Sequence, residues 1–525
     1  MAVMRISTVE QMRRLDQRSI SEFGLSDHLL MENAGEAVYY EILHQLGIEG
    51  QRFLVVSGPG NNGGDGFVVA RKLHSSGARV RVLVFADVNA YRGAAAANYE
   101  MIRRSGVTLL ADPPPEQVAD SLAWCDVVVD GLLGTGLTRD VDGRFREVIE
   151  QVNSSGHRVV AVDIPSGVDG DTGQVRGTAV EAERTVTFGL PKRGNLLPPG
   201  AGRGGQLVVT HISFPPRLIE DSGISVYVNH PPRLPEPQAE GDGEGSGSVL
   251  LVVGSHEAAG EGRDAARAVL GSGGGAVRLA IPGSAASGME DPGKGIELAP
   301  QEETDRGALA RGAEEVLAGL GRAAVAVVLG PGPGIEKEHE LRFRRLMAGV
   351  EVPLFLGGGA ASDGVMEAVR RRSAETVWLL RPGELSRLTG LPDTGIQEDP
   401  ISPLQDLAHQ LDALLVLTGP RILIGCPDRR VYMNLSGPWG GFSGGSGLLL
   451  LGIAAGLLRP GSSVEDAVRC GVFLYGLALE RAGGKELSGT ARTPALLEEL
   501  PRAAAALREG YEQITADFPT SMRVI

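Results

Sequence analysis

The sequence predicts two α/β domains in tandem. Three observations carry that prediction. Short apolar segments alternate with helix-patterned ones over residues 52–213, a stretch rich in Pro, Gly, Ser and acid then breaks the pattern, and the same alternation resumes at Ser248. Strands that are apolar on both faces belong to parallel sheets covered by helices. The expected boundaries are a first domain over residues 1–220, a connection over 221–247 and a second domain over 248–525.

The elements follow in order. A helix opens the chain from about Thr8 to Phe23, and a second runs across MENAGEAVYYEILHQLG. RFLVVS reads as a strand and GDGFVVARKLHSSG as a helix closed by Gly77. RVRVLVFA and the helix NAYRGAAAANYEMIRRSG come next, then two strands, CDVVVDGLLG and HRVVAVDIPSG, that each run into a glycine-bearing loop. PPRLIEDSG and HPPRLPEPQAEGDGEGSGS carry no periodicity and read as connection. SVLLVVG, AVAVVLGPGPG, VPLFLGGG, ETVWLL and LLVLTG are the strands of the second domain, and SVEDAVRCGVFLYGLALERAG is one of its closing helices.

Composition narrows the function classes. The chain has 525 residues, enough for two or three cores, and its hydrophobic fraction of 42% is that of a soluble globular protein. A formal net charge of −15 argues against nucleic acid as a partner, because phosphate neutralisation needs a basic face. Cys125, Cys426 and Cys470 form no CxxC pair and no even-numbered framework, which fits a reducing cytoplasm. The nine histidines are dispersed, without zinc-like spacing. The longest apolar run, LLLLGIAAGLL, reaches only about half of the roughly 20 residues that span a bilayer, so no membrane partner is expected.

SGPGNNGGDGFVVAR, residues 57–71, places Gly58-Pro-Gly60-Asn-Asn-Gly63 after a strand and before a helix. That is the setting of a dinucleotide fingerprint, and Asp87 at the end of the next strand stands where a ribose-binding acid could be. The loop ends in Gly64-Asp65, where a nucleotide-hydrolysing loop would carry lysine. A tight turn without ligand remains the alternative. Two further strand ends weigh against it. One places Asp130 and the loop Gly134–Asp140 at its C-terminal side, the next places Asp163, Ser166 and Gly167 there. Ligands of open parallel sheets bind outside those carboxyl ends, so Asn62, Asp65, Asp130, Asp163 and Ser166 are expected in one cleft. Each alone could be a cap or turn former. Together they supply oxygens and almost no nitrogen or sulfur, which suits a hard cation or a positively charged intermediate.

At these residues the first domain resembles the NAD(P)H-hydrate epimerase family. LLMENAGEA, GPGNNGGDGFVVAR, DGLLGTGL, VDIPSGVDGDTG and TVTFGLPKRG carry the resemblance across most of residues 8–213. It implies a Rossmann-like three-layer domain acting on NADHX and NADPHX, the hydrates of reduced nicotinamide dinucleotides. It further implies substrate contacts from Asn61, Asn62, Gly63, Gly64 and Asp65, from Gly134, Thr135, Gly136, Leu137, Thr138, Arg139 and Asp140, and from Asp163. A potassium ion is implied at Asn62, Asp130 and Ser166, and self-association of the chain is implied as well. The chemistry needs one acid/base group, for which Asp163 is the first candidate and Asp65 the second.

From Ser248 on, the chain resembles the partner domain, the ADP- or ATP-dependent NAD(P)H-hydrate dehydratase with a ribokinase-like fold. VLLVVGS, VVLGPGPG, RPGELSRLTG and GGSGLLLLGIAAGLL carry this second resemblance. Several family positions are changed. Gly445-Ser446-Gly447-Leu448 stands where the family has Gly-[Ser/Thr]-Gly-Asp, Gly357-Gly358-Gly359 replaces Asp-Ala-Asp, Arg381 replaces a histidine and Thr418 a lysine. HEAAGEGRD replaces a tyrosine-bearing loop. Leucine can neither accept a proton nor hold metal-bound water, so this domain is expected to be folded but inactive as a dehydratase. Gly444, Gly445, Ser446 and Gly447 keep a phosphate-binding turn, and Leu448–Leu451 are expected to begin a buried helix. Three other readings stand beside this one: an NAD-dependent oxidoreductase, a non-catalytic nucleotide- or RNA-binding scaffold, and an enzyme that keeps both repair activities.

Overall fold

A computed structural model describes residues 4–237, 248–310, 312–330, 337–358, 361–438, 440, 446–483, 492–516 and 522–524. The chain forms two compact units, one comprising Met4–Ile224 with Pro519–Ile525, the other built mainly from Ser225–Phe518.

In the first unit, strands β1 (Arg52–Ser57), β2 (Arg79–Val84), β3 (Thr108–Ala111), β4 (Val127–Gly131), β5 (Arg158–Val162), β6 (Arg184–Phe188) and β7 (Gln206–Thr210) form one parallel sheet. Its order is β3-β2-β1-β4-β5-β6-β7, and Met522–Val524 adds an eighth parallel strand beside β7. Such strands have two buried faces because side chains alternate across the sheet. Phe53 and Val55 point to one layer with Phe67, Val68 and Val38, whereas Leu54 and Val56 point to the other with Leu122 and Ile149. Burying each such side chain contributes about 1.5–3 kcal/mol, which is why these runs read as continuous apolar strands. The winding order of the strands reverses between β1 and β4, which remain parallel, and there an open sheet leaves a crevice.

Three helices frame that crevice. Helix α1 (Val9–Phe23) begins with a reciprocal cap, Thr8 accepting from the Gln11 amide and Gln11 from the Thr8 amide. Helix α2 (Asp27–Gln45) starts on the Ser26 cap. Helix α3 (Asn61–Ser75) starts within the glycine-rich stretch, several residues ahead of the expected GDGFVVARKLHSSG.

The second unit contains a ten-stranded, mostly parallel sheet whose central strands are Ser248–Val252, Ala324–Leu329, Leu354–Leu356 and Thr376–Leu380. One edge turns antiparallel through Leu414–Leu417, Leu423–Gly425 and Val431–Met433. The terminal strand is Val226–Val228, which lies within the stretch expected as connection. Leu448–Leu451 lie in the helix Ser446–Gly456 and are buried, as expected for the start of a core helix. That helix packs closely on Ala259–Ser272: a side chain at Gly452 would meet the Ala265 carbonyl at 2.7 Å. HEAAGEGRD supplies the turn into this same helix and its first six residues, Ala259–Asp264. Among the described residues no helix is long and apolar enough to cross a membrane, and the three cysteines are free and buried.

Candidate active site

A cleft of about 850 Å³ opens at the switch point between β1 and β4. Asn61, Asn62 and Asp65 from α3, all of Gly134–Asp140 after β4, and Asp163 after β5 line it together, with α1 and α2 closing the sides. Gly63 and Gly64 are not among the residues that line it. Their absence of side chains serves packing: a Cβ at Gly63 would lie 2.0 Å from the Gly58 carbonyl, and one at Gly64 would meet Met31. Gly58 in turn lies against the Leu132 backbone, so these glycines pull the β1 and β4 loops together. Asp87 is not at the cleft. It accepts from the Asn89 amide at 3.0 Å, the short turn its residue type favours, so the ribose-acid expectation fails on geometry.

Beneath the cleft lies the oxygen set. Asp130 and Ser166 are buried, and the Ser166 hydroxyl donates to Asp130 Oδ1 at 2.6 Å while the Ser166 amide donates to Oδ2 at 2.8 Å. The Leu133 amide donates to Ser166 Oγ at 2.7 Å, and Asn62 Nδ2 donates to the Leu133 carbonyl at 3.1 Å. Asn62, Asp130 and Ser166 therefore meet around Leu133. Burial pushes the Asp130 carboxyl up to about 6, and no cationic side chain pairs with it among the described residues. A buried carboxylate without a cation is costly, so this donor set of carboxylate, hydroxyl, amide and carbonyl oxygen fits a weakly hydrated cation. Among the described residues no group of three His, Cys, Asp or Glu suits a transition metal.

Above that set is a charge cluster of Asp16, Asp65, Asp163 and Lys192, all lining the cleft. Asp163 sits at φ +65°, a left-handed conformation unfavourable for a residue other than glycine. Its Oδ1 accepts from Lys192 Nζ at 2.5 Å, Thr187 Oγ1 at 3.0 Å and the Phe188 amide at 3.4 Å. Asn195 Nδ2 holds the Asp163 carbonyl at 3.1 Å. Burial raises the Asp65 carboxyl well above its ordinary value, with the Asp163 and Asp16 charges adding to it. Burial likewise brings Asp16 up to about 6, opposed by Lys192. Lys192 and Asp16 were missed from sequence. Lys192 lies in TVTFGLPKRG, where a buried lysine is a signal only if a carboxylate is known to face it, and Asp16 looks like any polar residue on an amphipathic helix.

In the second unit, Gly444 and Gly445 lie outside the described residues, as does Gly359. Ser446 and Gly447 begin the helix Ser446–Gly456. Leu448 is 3% exposed and packs 3.1 Å from where a side chain on Gly330 would begin. Arg381 turns onto Glu384 at 3.1 Å, and Thr418 donates to the Leu380 carbonyl at 3.1 Å.

Fold and cleft define a doubly wound α/β domain with a small-molecule site at its switch point, joined to a second α/β domain. Residues 27–194 match the family described as YjeF-related protein N-terminus, and residues 249–502 match NAD(P)H-hydrate dehydratase. The chain is 39% identical over 515 residues to the bifunctional NAD(P)H-hydrate repair enzyme of Thermofilum pendens, covering 97% of this chain and 98% of that protein. It is 34% identical over 526 residues to the enzyme of the same name from Moorella thermoacetica, covering 98% and 99%. A solved structure of the ADP/ATP-dependent NAD(P)H-hydrate dehydratase from Bacillus subtilis, co-crystallised with ATP and Mg²⁺, is 23% identical, with 52% of this chain and 93% of that one covered and a TM-score of 0.43. The chain belongs to the family of bifunctional NAD(P)H-hydrate repair enzymes.

Proposed function

We propose that the first unit interconverts the R and S forms of NADHX and NADPHX at C6. The observation that carries this reading is the meeting of Asp65 and Asp163 in one cleft that Asn62 also lines, with Asn62, Asp130 and Ser166 joined through Leu133. The hydrate bears a hydroxyl on C6, next to the ring nitrogen. Protonation of that hydroxyl lets the nitrogen lone pair expel water and leave a planar iminium cation; water returning to the opposite face inverts C6. Asp163, with Asp65 beside it, exchanges the proton, and the surrounding carboxyls stabilise the cation. The loop Gly134–Asp140 and the Asn61 and Asn62 amides position the dinucleotide. Potassium would be held by Asn62, Asp130 and Ser166, where it would neutralise the buried Asp130 charge and fix the two loops.

For the second unit we propose a folded domain without dehydratase turnover. A core leucine at 448 supports this, as does Arg381 engaged with Glu384 instead of standing free. The alternative, in which both repair activities are kept, draws support from the dehydratase family match over residues 249–502 and from the names of the full-length relatives. One assay separates them. Purified protein is mixed with a single hydrate epimer, with and without ATP or ADP, and both epimers and the reduced dinucleotide are followed chromatographically. Interconversion without nucleotide-dependent dehydration is expected. Absence of interconversion refutes the first reading, and ATP- or ADP-dependent formation of NADH refutes the second.

A further inference from the structure

Among the described residues Lys192 is the one cation packed directly on Asp163, and its placement is unusual. It is 2% exposed, and its three ammonium protons are all in use, on Asp163 Oδ1, on Thr187 Oγ1 at 3.0 Å and on the Phe188 carbonyl at 3.1 Å. It is therefore not available to a substrate. The segment that carries it is fastened on several sides. Ser7 pairs with it through the Ser7 amide on the Pro191 carbonyl at 2.9 Å and the Arg193 amide on the Ser7 carbonyl at 3.0 Å, and the Gly194 amide donates to the Gly170 carbonyl at 2.8 Å. Asn195 closes the arrangement, accepting from the Lys192 amide at 2.8 Å while donating to the Asp163 carbonyl.

The consequence for the two cleft carboxyls is opposite. Every donor on the Asp163 carboxylate goes to Oδ1, and Oδ2 has no partner among the described residues although Asp163 lines the cleft. Asp65 is 8% exposed, and its carboxyl has neither a hydrogen bond nor an ion pair among the described residues. A buried carboxyl without donors is held neutral, whereas one whose Oδ1 is engaged by an ammonium, a hydroxyl and an amide keeps its other oxygen free to accept a proton from the cleft. Two carboxyls so differently surrounded, one without donors and one with a free oxygen beside a saturated one, suit an acid and a base of one site.

Building on the epimerase reading, we infer that the proton work is divided. Asp65 gives the proton to the departing hydroxyl, Asp163 Oδ2 takes one from the incoming water on the opposite face, and Lys192 is the positioning residue that sets the division. The step balances. The Asp65 proton bonds to the C6 hydroxyl oxygen, the C6–O bond breaks with its electron pair and water leaves. The nitrogen lone pair forms the iminium double bond. A second water bonds to C6, the pair returns to nitrogen, and that water's proton goes to Asp163. The substrate has gained and lost one water, and one proton has moved from Asp65 to Asp163, which is the state needed to run the reverse inversion. Asp16, facing both Asp163 and Lys192 from α1, and solvent in the cleft return the proton; burial leaves Asp16 at about 6, suited to that exchange near neutrality.

The test uses the full chain as Lys192→Met and Lys192→Arg. The expected result for K192M is a fall in kcat of about 100-fold or more with KM within about threefold, and K192R recovers part of it. A second readout needs no substrate: carboxyl ¹³C titration of Asp16, whose midpoint moves up in K192M because the opposing ammonium charge is gone. Wild-type interconversion with kcat in K192M within threefold of it overturns the division alone. An unmoved Asp16 midpoint also overturns it, because Lys192 then does not govern the cluster. A wild-type protein that fails to interconvert the hydrates overturns the epimerase reading and this one with it.

Discussion

Gly58→Ala is the sharpest structural test of the site. The new Cβ would sit 1.7 Å from the Leu132 carbonyl oxygen and 2.7 Å from its carbon, both backbone atoms that no rotamer change can move aside. Real Cβ contacts stay beyond 3.0 Å, so the β1 and β4 loops must separate by at least about 1.3 Å. That opening breaks the Gly58 amide bond to Gly131 at 3.1 Å, and it pulls Leu133 from Asn62 at 3.1 Å and from Ser166 at 2.7 Å. Overpacking with lost buried hydrogen bonds costs roughly 3–5 kcal/mol. For a unit of this size that lowers its melting temperature by about 10 °C. Scanning calorimetry of the full chain reads it against Gly60→Ala, where φ is +95° and ψ −161° but nothing lies within 4 Å, so the cost is about 1–3 kcal/mol of backbone strain alone. The reasoning fails if G58A melts with G60A.

Exchanging potassium for tetramethylammonium lowers both melting temperature and epimerisation rate of the wild-type protein, and Asp130→Asn abolishes the response; calorimetry with the two salts checks this. Leu448→Asp does not create ATP-dependent turnover and lowers the second unit's stability by about 4 kcal/mol, because it buries an unpaired carboxyl in the core; denaturant melts and the dehydration assay check it together. Asp16, raised from 3.8 to about 6, binds its proton more tightly folded than unfolded, so its contribution is fully present below about pH 4 and lost as pH rises through 6. Asp16→Asn therefore gains stability relative to wild type across that window, by roughly 3 kcal/mol, measured as melting temperature against pH.

Much of the fold is legible because parallel strands with two buried faces leave short apolar runs such as RFLVV and DVVVD, alternating with helix-patterned segments, and because the loops after them carry the carboxyls. The convergence of Asn62, Asp130 and Ser166 follows from strand order alone once β1, β4 and β5 are neighbours. What the sequence hides is what needs long-range pairing. Val226–Val228 and Met522–Val524 are three-residue strands, too short for any periodicity. The latter joins β7 although hundreds of residues separate them. Lys192 and Asp16 gain meaning only from Asp163, across the sheet. The glycines of the fingerprint have a structural reason of their own, since a Cβ at Gly58 or Gly63 would run into the backbone of a neighbouring loop.

The central claim is that the cleft carboxyls exchange the oxygen on C6. Epimerisation in H₂¹⁸O with mass spectrometry of the recovered hydrates measures this directly. The account predicts one ¹⁸O incorporated at C6 for each inversion, with label and inversion lost together in Asp163→Asn; inversion without label, or both at the wild-type rate in that variant, contradicts it.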